Sequence, residues 1–121
     1  MRRENLKNLD LRKKADLLRI LAHPVRLAIL EELSRGAKCV TDIQDLLDVP
    51  QSNVSQHLTA LRHDQIVDYH EDGKLRCYYI TRPKLVEKLL AFLSEEYPVV
   101  RRSPESVHRE GKSREKVCSP R

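Results

Sequence analysis

Tryptophan is absent from this 121-residue chain, phenylalanine occurs once and glycine three times. With so few aromatics, the 40% of residues that are hydrophobic are mostly aliphatic, which favours a helical core of Leu, Ile, Val and Ala. Long apolar runs are missing too. The richest region, Leu17 to Leu33, is broken by Arg19, His23, Pro24 and Arg26, whereas a membrane-spanning helix needs roughly 18 to 20 apolar residues in a row. The basic stretch MRRENLKNLDLRKK has no apolar segment ending in a small-residue cleavage site, so the expected compartment is the cytoplasm. Cysteine is scarce: residues 39, 77 and 118 form no Cys-x-x-Cys pair, which argues against a disulfide framework or a compact zinc knuckle and for reduced thiols. The length suits one domain.

The net charge of +5 is unevenly placed. Residues 1 to 100 hold 16 Lys/Arg against 15 Asp/Glu, while residues 101 to 121 hold 7 against 3. Overall basicity therefore says little about the folded part, and any case for nucleic-acid binding must rest on local charge. One local feature qualifies: from Val49 to His63 there is no acidic residue, in a chain that is 34% charged.

Asp10 is placed to cap a first helix with Leu11, Ala15, Leu18 and Leu21 at helical spacing, ending near Ala22. His23 and Pro24 open a second helix through Leu27, Leu30 and Leu33, closed at Ser34, Arg35 and Gly36. Thr41 and Gln44 have the spacing of a capping box for a short third helix carrying Ile43, Leu46 and Leu47. Asp48, Val49 and Pro50 turn the chain into a fourth helix, Gln51 to His63, with Val54, Leu58 and Leu61 on its apolar face. Ile66, Val67 and Tyr69, then Leu75 and Tyr78 to Ile80, are strand formers separated by Asp72-Gly73, the signal of a hairpin. Thr81 and Pro83 begin a fifth helix whose Leu85, Val86, Leu89, Leu90, Phe92 and Leu93 need cover on two sides, one of them from another chain. Residues 1–98 thus read as the domain and 99–121, poor in apolar residues, as a disordered basic tail.

Two short helices joined by a tight turn and followed at once by a β-hairpin make a winged helix-turn-helix: a mostly α, α+β fold, here expected to be dimeric. The second helix of such a unit suits the major groove of double-stranded DNA. Its candidates for DNA contact are Gln51, Ser52, Asn53, Ser55, Gln56 and His57, with Lys74 and Arg76 from the hairpin. Gln and Asn can pair bidentately with adenine, Ser can bond bases or phosphate, and His57 is placed to meet the backbone. The plainer alternative is that this polar face is only solvated and the hairpin only closes the core.

The segments LAHPVRLAIL, VPQSNVSQHLTALR and DGKLRCYYI, in that order and within a stretch of about half the chain, resemble the ArsR/SmtB family of bacterial winged-helix repressors. The resemblance implies a homodimer formed by the first and last helices, binding a palindromic operator and released by an inducer. Family inducers include toxic metal or metalloid ions held by Cys at the third helix, ions held by His and carboxylates on the last helix, and oxidants or reactive sulfur acting on Cys; some members have no known ligand.

Cys39 falls on the first thiol of the family's Cys-Val-Cys-Asp motif, but the residues here are Cys39, Val40, Thr41 and Asp42, so the second thiol is missing. A soft ion such as arsenite, cadmium or lead wants several thiolates. In the family topology the segment before the third helix pairs with the second wing strand, which would bring Cys39 near Cys77; Cys118 on the tail is the third candidate ligand. The alternatives are a redox or reactive-sulfur sensor using the same Cys, or packing thiols with no switch at all. The last helix offers Glu87, Glu95 and Glu96 but no His, against a zinc site there, and no obligatory cofactor is expected. No Gly-rich phosphate loop or catalytic set argues for an enzyme, and the acid-free helix argues against a protein-interaction module that has lost DNA binding.

Overall fold

The computed structural model describes residues 3–113, with side chains from 10 to 112. Its elements run α1 (Arg3–Leu21), α2 (Pro24–Ser34), β1 (Lys38–Cys39), α3 (Val40–Leu47), α4 (Gln51–His63), β2 (Val67–Asp72), β3 (Leu75–Ile80), α5 (Pro83–Ser94) and α6 (Pro104–Ser113). None of the described helices is long and apolar enough to cross a membrane.

Helix α2 starts where its sequence says it must. His23 is extended at the N-cap and its Nδ1 accepts the Val25 N–H at 3.1 Å, while Pro24 fills the first turn, where a missing N–H costs nothing. Beyond its end, Gly36 takes φ +139, a backbone angle that side-chain-bearing residues rarely adopt. The Lys38 ammonium donates to the Glu32 carbonyl at 2.9 Å, satisfying a last-turn acceptor and tying β1 to α2. Between α3 and α4, Asp48 is left-handed (φ 53) and its N–H reaches the Gln44 carbonyl at 2.9 Å; the Pro50 carbonyl then accepts from Asn53 and Val54. The turn is local chemistry, and α4 comes out with the bounds that its sequence predicts.

The sheet has order β1-β3-β2, all antiparallel. Gly73 and Lys74 form the two-residue hairpin turn, with Gly73 at φ +66 in the first central position. Because side chains alternate along a strand, Tyr69, Arg76 and Tyr78 share one face, toward the core, and His70, Cys77 and Cys39 the other. The core is aliphatic: Ile29, Leu30, Ile43, Val54, Leu58, Leu61 and Ile66 are fully buried, joined by Tyr78 from the sheet and Val86 from α5.

Three local expectations need correction. Asp10 is not a cap: α1 begins at Arg3, and Asp10 lies inside it, paired with Lys14 at 3.0 Å. The Thr41–Gln44 box is not used either. Pairing of β1 with β3 holds the chain extended through Cys39, so α3 starts at Val40 with Cys39 at its N-cap and no side-chain cap bond. Within the stretch read as a disordered tail, residues 104–113 are helical, with the Ser103 hydroxyl accepting the Ser106 N–H and Arg102 bonded to Ser106 and Glu110. Local capping and one ion pair supply the order that apolar burial does not.

Candidate nucleic-acid interface

The N-terminal half of α4 carries the proposed reading face. Val54 and Leu58 anchor it in the core, which forces Gln51, Ser52, Asn53 and Gln56 outward; all four are exposed and Ser55 is half-buried. The first turn has no acidic residue and no side-chain cap, so its free N–H groups and the positive end of the helix dipole face outward, where an anion is favoured.

The wing faces this helix across a shallow groove lined by Gln51, Ser55, Thr59, Thr41, Lys74 and Arg76. Helix and hairpin therefore present one surface. Lys74 stands at the turn. Arg76 is held: its guanidinium lies 4.5 Å from the centre of the Tyr69 ring, and Arg62 from α4 lies 4.6 Å from the same ring. Arg62 is also bound to Asp68, Nε to Oδ1 at 2.9 Å, which holds that carboxyl below its usual range; the Tyr69 N–H adds a second bond to the same oxygen. One arginine is thus neutralised and the other turned toward the groove. Thr59 and Thr41 were not among the predicted contacts. Gln51, Ser55 and Thr59 are spaced by four, one stripe of a helix, so Thr59 was legible; Thr41 was not, because its place depends on how α3 packs.

His57 does not lie on the exposed face with Gln56: it is half-buried between α4 and the start of α2. Nδ1 accepts a hydrogen bond from Arg26 Nε at 3.0 Å, and the ring lies tilted on the His23 ring, centroids 4.2 Å apart. Burial first, then repulsion from His23 and from the Arg26 guanidinium, hold the His57 pKa below its ordinary value.

The expected approach of Cys39 to Cys77 is present. The two residues are directly opposed in the β1–β3 ladder, both half-buried, with Sγ atoms 3.1 Å apart. The shared thiol proton, then burial, then the charges of Cys77, Asp42 and Asp72 push the Cys39 pKa up to about 11. Cys118 lies outside the described residues. Among the described residues no group of three or more His, Cys, Asp or Glu side chains is gathered as a metal site.

A helix-turn-helix whose second helix starts with an acid-free turn, followed at once by a hairpin with Lys74 and Arg76 beside that helix, is the winged arrangement of DNA-binding regulators. The model of the arsR family of bacterial regulatory proteins matches residues 23–69. The transcriptional repressor PagR of Bacillus anthracis is 39% identical over 87 residues, covering 71% of this chain and 86% of PagR. The PagR crystal structure superposes with a TM-score of 0.61 over 71% of this chain and 98% of that one. The repressor SmtB of Mycobacterium tuberculosis is 39% identical over 75 residues, 62% of this chain and 56% of SmtB, so the match spans little more than half of that relative. The cadmium resistance regulatory protein CadC of Listeria innocua is 33% identical over 85 residues, 69% of this chain and 71% of CadC. The chain belongs to the ArsR/SmtB family of transcriptional repressors.

Proposed function

We propose that the protein is a cytoplasmic repressor that binds a palindromic operator as a homodimer. Each α4 enters a major groove, the two about 34 Å apart, roughly one turn of DNA. Gln51, Asn53 and Gln56 read bases, Ser52 and Ser55 bond bases or phosphate, and Lys74 and Arg76 hold the flanking backbone. The observation that carries this reading is the groove in which Gln51, Ser55 and Thr59 of α4 face Lys74 and Arg76 of the wing. The dimer surface is supplied by the apolar residues that α1 and α5 leave exposed, among them Leu11, Leu18, Phe92 and Leu93. The test is selection of duplexes from a random-sequence pool. The protein should recover a two-fold symmetric site, and Gln56→Ala should cost about 1–3 kcal/mol per half-site and relax preference at one position. Recovery of no common sequence would refute the reading.

Release is assigned to a thiol-reactive inducer at Cys39 and Cys77. A soft ion such as arsenite, cadmium or lead matches thiolate donors, and CadC is named for cadmium resistance. Two thiols are an incomplete set for such an ion, and Cys118 would have to supply the third. The 3.1 Å contact favours a second reading in which the pair itself is the switch. A peroxide would oxidise one thiol to a sulfenic acid with release of one water; the other thiol would then displace a second water and leave a disulfide, reversed by a dithiol reductant. Thiolate-to-metal absorbance lost in Cys39→Ser identifies the ion. Operator release by peroxide, reversed by reductant alone and abolished in Cys77→Ser, identifies the redox switch. A variant with Ser at all three positions that responds like the parent refutes both.

A further inference from the structure

Arg26 stands in the first turn of α2 and bonds in two directions. Its Nε donates to Nδ1 of His57, in the middle of α4, at 3.0 Å, and its Nη1 donates to the Ile20 carbonyl, in the last turn of α1, at 2.9 Å. The Ile20 carbonyl is one of the acceptors that a helix end leaves without a partner. His23 closes the arrangement: it is the N-cap of α2, fixed by its bond from Val25, and its ring lies against that of His57. Three helices therefore meet at one guanidinium. The planar fork of an arginine can serve two acceptors at fixed angles, which a lysine ammonium does less well.

The junction matters because of what the helices carry. Helix α1 bears Leu11 and Leu18, both about 60% exposed, on the surface assigned to the dimer contact, and α4 bears the reading face. Helix α1 packs chiefly against α4. We infer that Arg26 and His57 are positioning residues for operator recognition: they lock the reading helix to the dimer helix and so set the spacing between the two half-sites. This inference rests on the dimeric DNA-binding reading given above.

The bond has a protonation requirement. An arginine only donates, so His57 Nδ1 must carry a lone pair and the ring must be neutral, with its proton on Nε2. The titratable and charged groups that face His57 are His23 and Arg26, both basic, while α1 contributes the neutral Ile20 carbonyl. A proton on His57 replaces the acceptor by a donor aimed at another donor and places two cations side by side. Since the folded His57 has a lowered pKa, the lock is complete above about pH 6.5 and is lost as pH falls through that lowered value. A histidine touching phosphate would behave in the opposite way, binding DNA more tightly when protonated.

The experiment uses the full chain and the duplex that it selects from a random pool, compared with the same duplex carrying one base pair inserted at its centre. His57→Phe keeps the ring and removes the acceptor; His57→Asn keeps an acceptor oxygen and cannot titrate. Loss of one charge-assisted hydrogen bond predicts that His57→Phe binds the selected duplex about tenfold more weakly at pH 7.5. It should also discriminate less between the two spacings, a ratio that a general loss of stability does not change. His57→Asn should keep the parent affinity at pH 7.5 and omit the loss of binding that the parent shows as pH falls below about 6.5. If His57→Phe does not fold, the pH profiles of parent and His57→Asn decide alone. Identical profiles, or parent-like affinity and spacing preference in folded His57→Phe, overturn the inference. Should Gln56→Ala weaken binding in the same assay while the His57 variants behave as the parent, only the positioning role fails. Should the parent select no duplex, the DNA-binding reading falls and the positioning role falls with it.

Discussion

Lys74 gives the most quantitative test of the interface. It stands at the hairpin turn with no ion pair among the described residues, on the rim of the groove beside α4. A cation there that meets a phosphate releases condensed counterions, so affinity falls with salt with a slope of about −0.9 per phosphate contact. In a dimer Lys74→Ala removes two contacts and should flatten the slope by about 1.8; over a fourfold rise in salt, from about 50 to 200 mM, the parent should lose about tenfold more affinity than the variant. The control is Arg62, a cation of α4 that is already committed to Asp68 and to the Tyr69 ring. Arg62→Ala combined with Asp68→Ala leaves the net charge unchanged and should leave the slope unchanged. Fluorescence anisotropy on the selected duplex at four or five salt concentrations reads both. The reasoning fails if Lys74→Ala keeps the parent slope, or if the Arg62/Asp68 pair flattens it as much.

Leu93→Glu places a charge on a half-exposed residue of α5 assigned to the dimer contact and should weaken dimerisation by about tenfold or more, read by sedimentation; a variant as dimeric as the parent would remove α5 from the interface. Leu58→Ala empties a fully buried site beneath α4 and should cost about 2–5 kcal/mol in urea unfolding, whereas a loss below about 1 kcal/mol would mean that the helix is not anchored there. With the Cys39 thiol pushed up to about 11 by its bond with Cys77, the alkylation rate of Cys39 should keep rising, roughly tenfold per pH unit, well past pH 9. In Cys77→Ala the rise should level off at a lower pH than in the parent; identical profiles in the two proteins would refute the shared proton.

Several elements could be read from the sequence because the signals that make them are local. Pro50 before Gln51 and the alternation of Val54, Leu58 and Leu61 with polar residues delimit α4 without reference to the rest of the chain. Asp72-Gly73 between two strand formers makes a hairpin wherever it sits, and His23-Pro24 opens a helix on its own terms. The order of these elements was enough to define a winged helix-turn-helix and its outward face. Capping was less secure. Thr41 and Gln44 have the right spacing, but strand pairing with β3 carries the extended chain as far as Cys39 and leaves Thr41 inside the helix.

What only the tertiary structure decided are contacts between residues far apart in the chain. Cys39 meets Cys77 because β1 and β3 pair in one register and not the next; a shift of one residue would put the two thiols on opposite faces of the sheet. His57 sits among the polar residues of α4, yet its ring is half-buried and bonded to Arg26, 31 residues earlier in the first turn of α2. Arg62 and Arg76 are alike as letters, but the fold pairs the first with Asp68 and leaves the second toward the groove. The sequence by itself determined where α4 runs and what kinds of side chain its outward face offers, because periodicity and turn chemistry act within a few residues. Which of those side chains remain free to meet DNA was decided by packing, because a hydrogen-bond partner supplied by another helix has no signature in the local sequence.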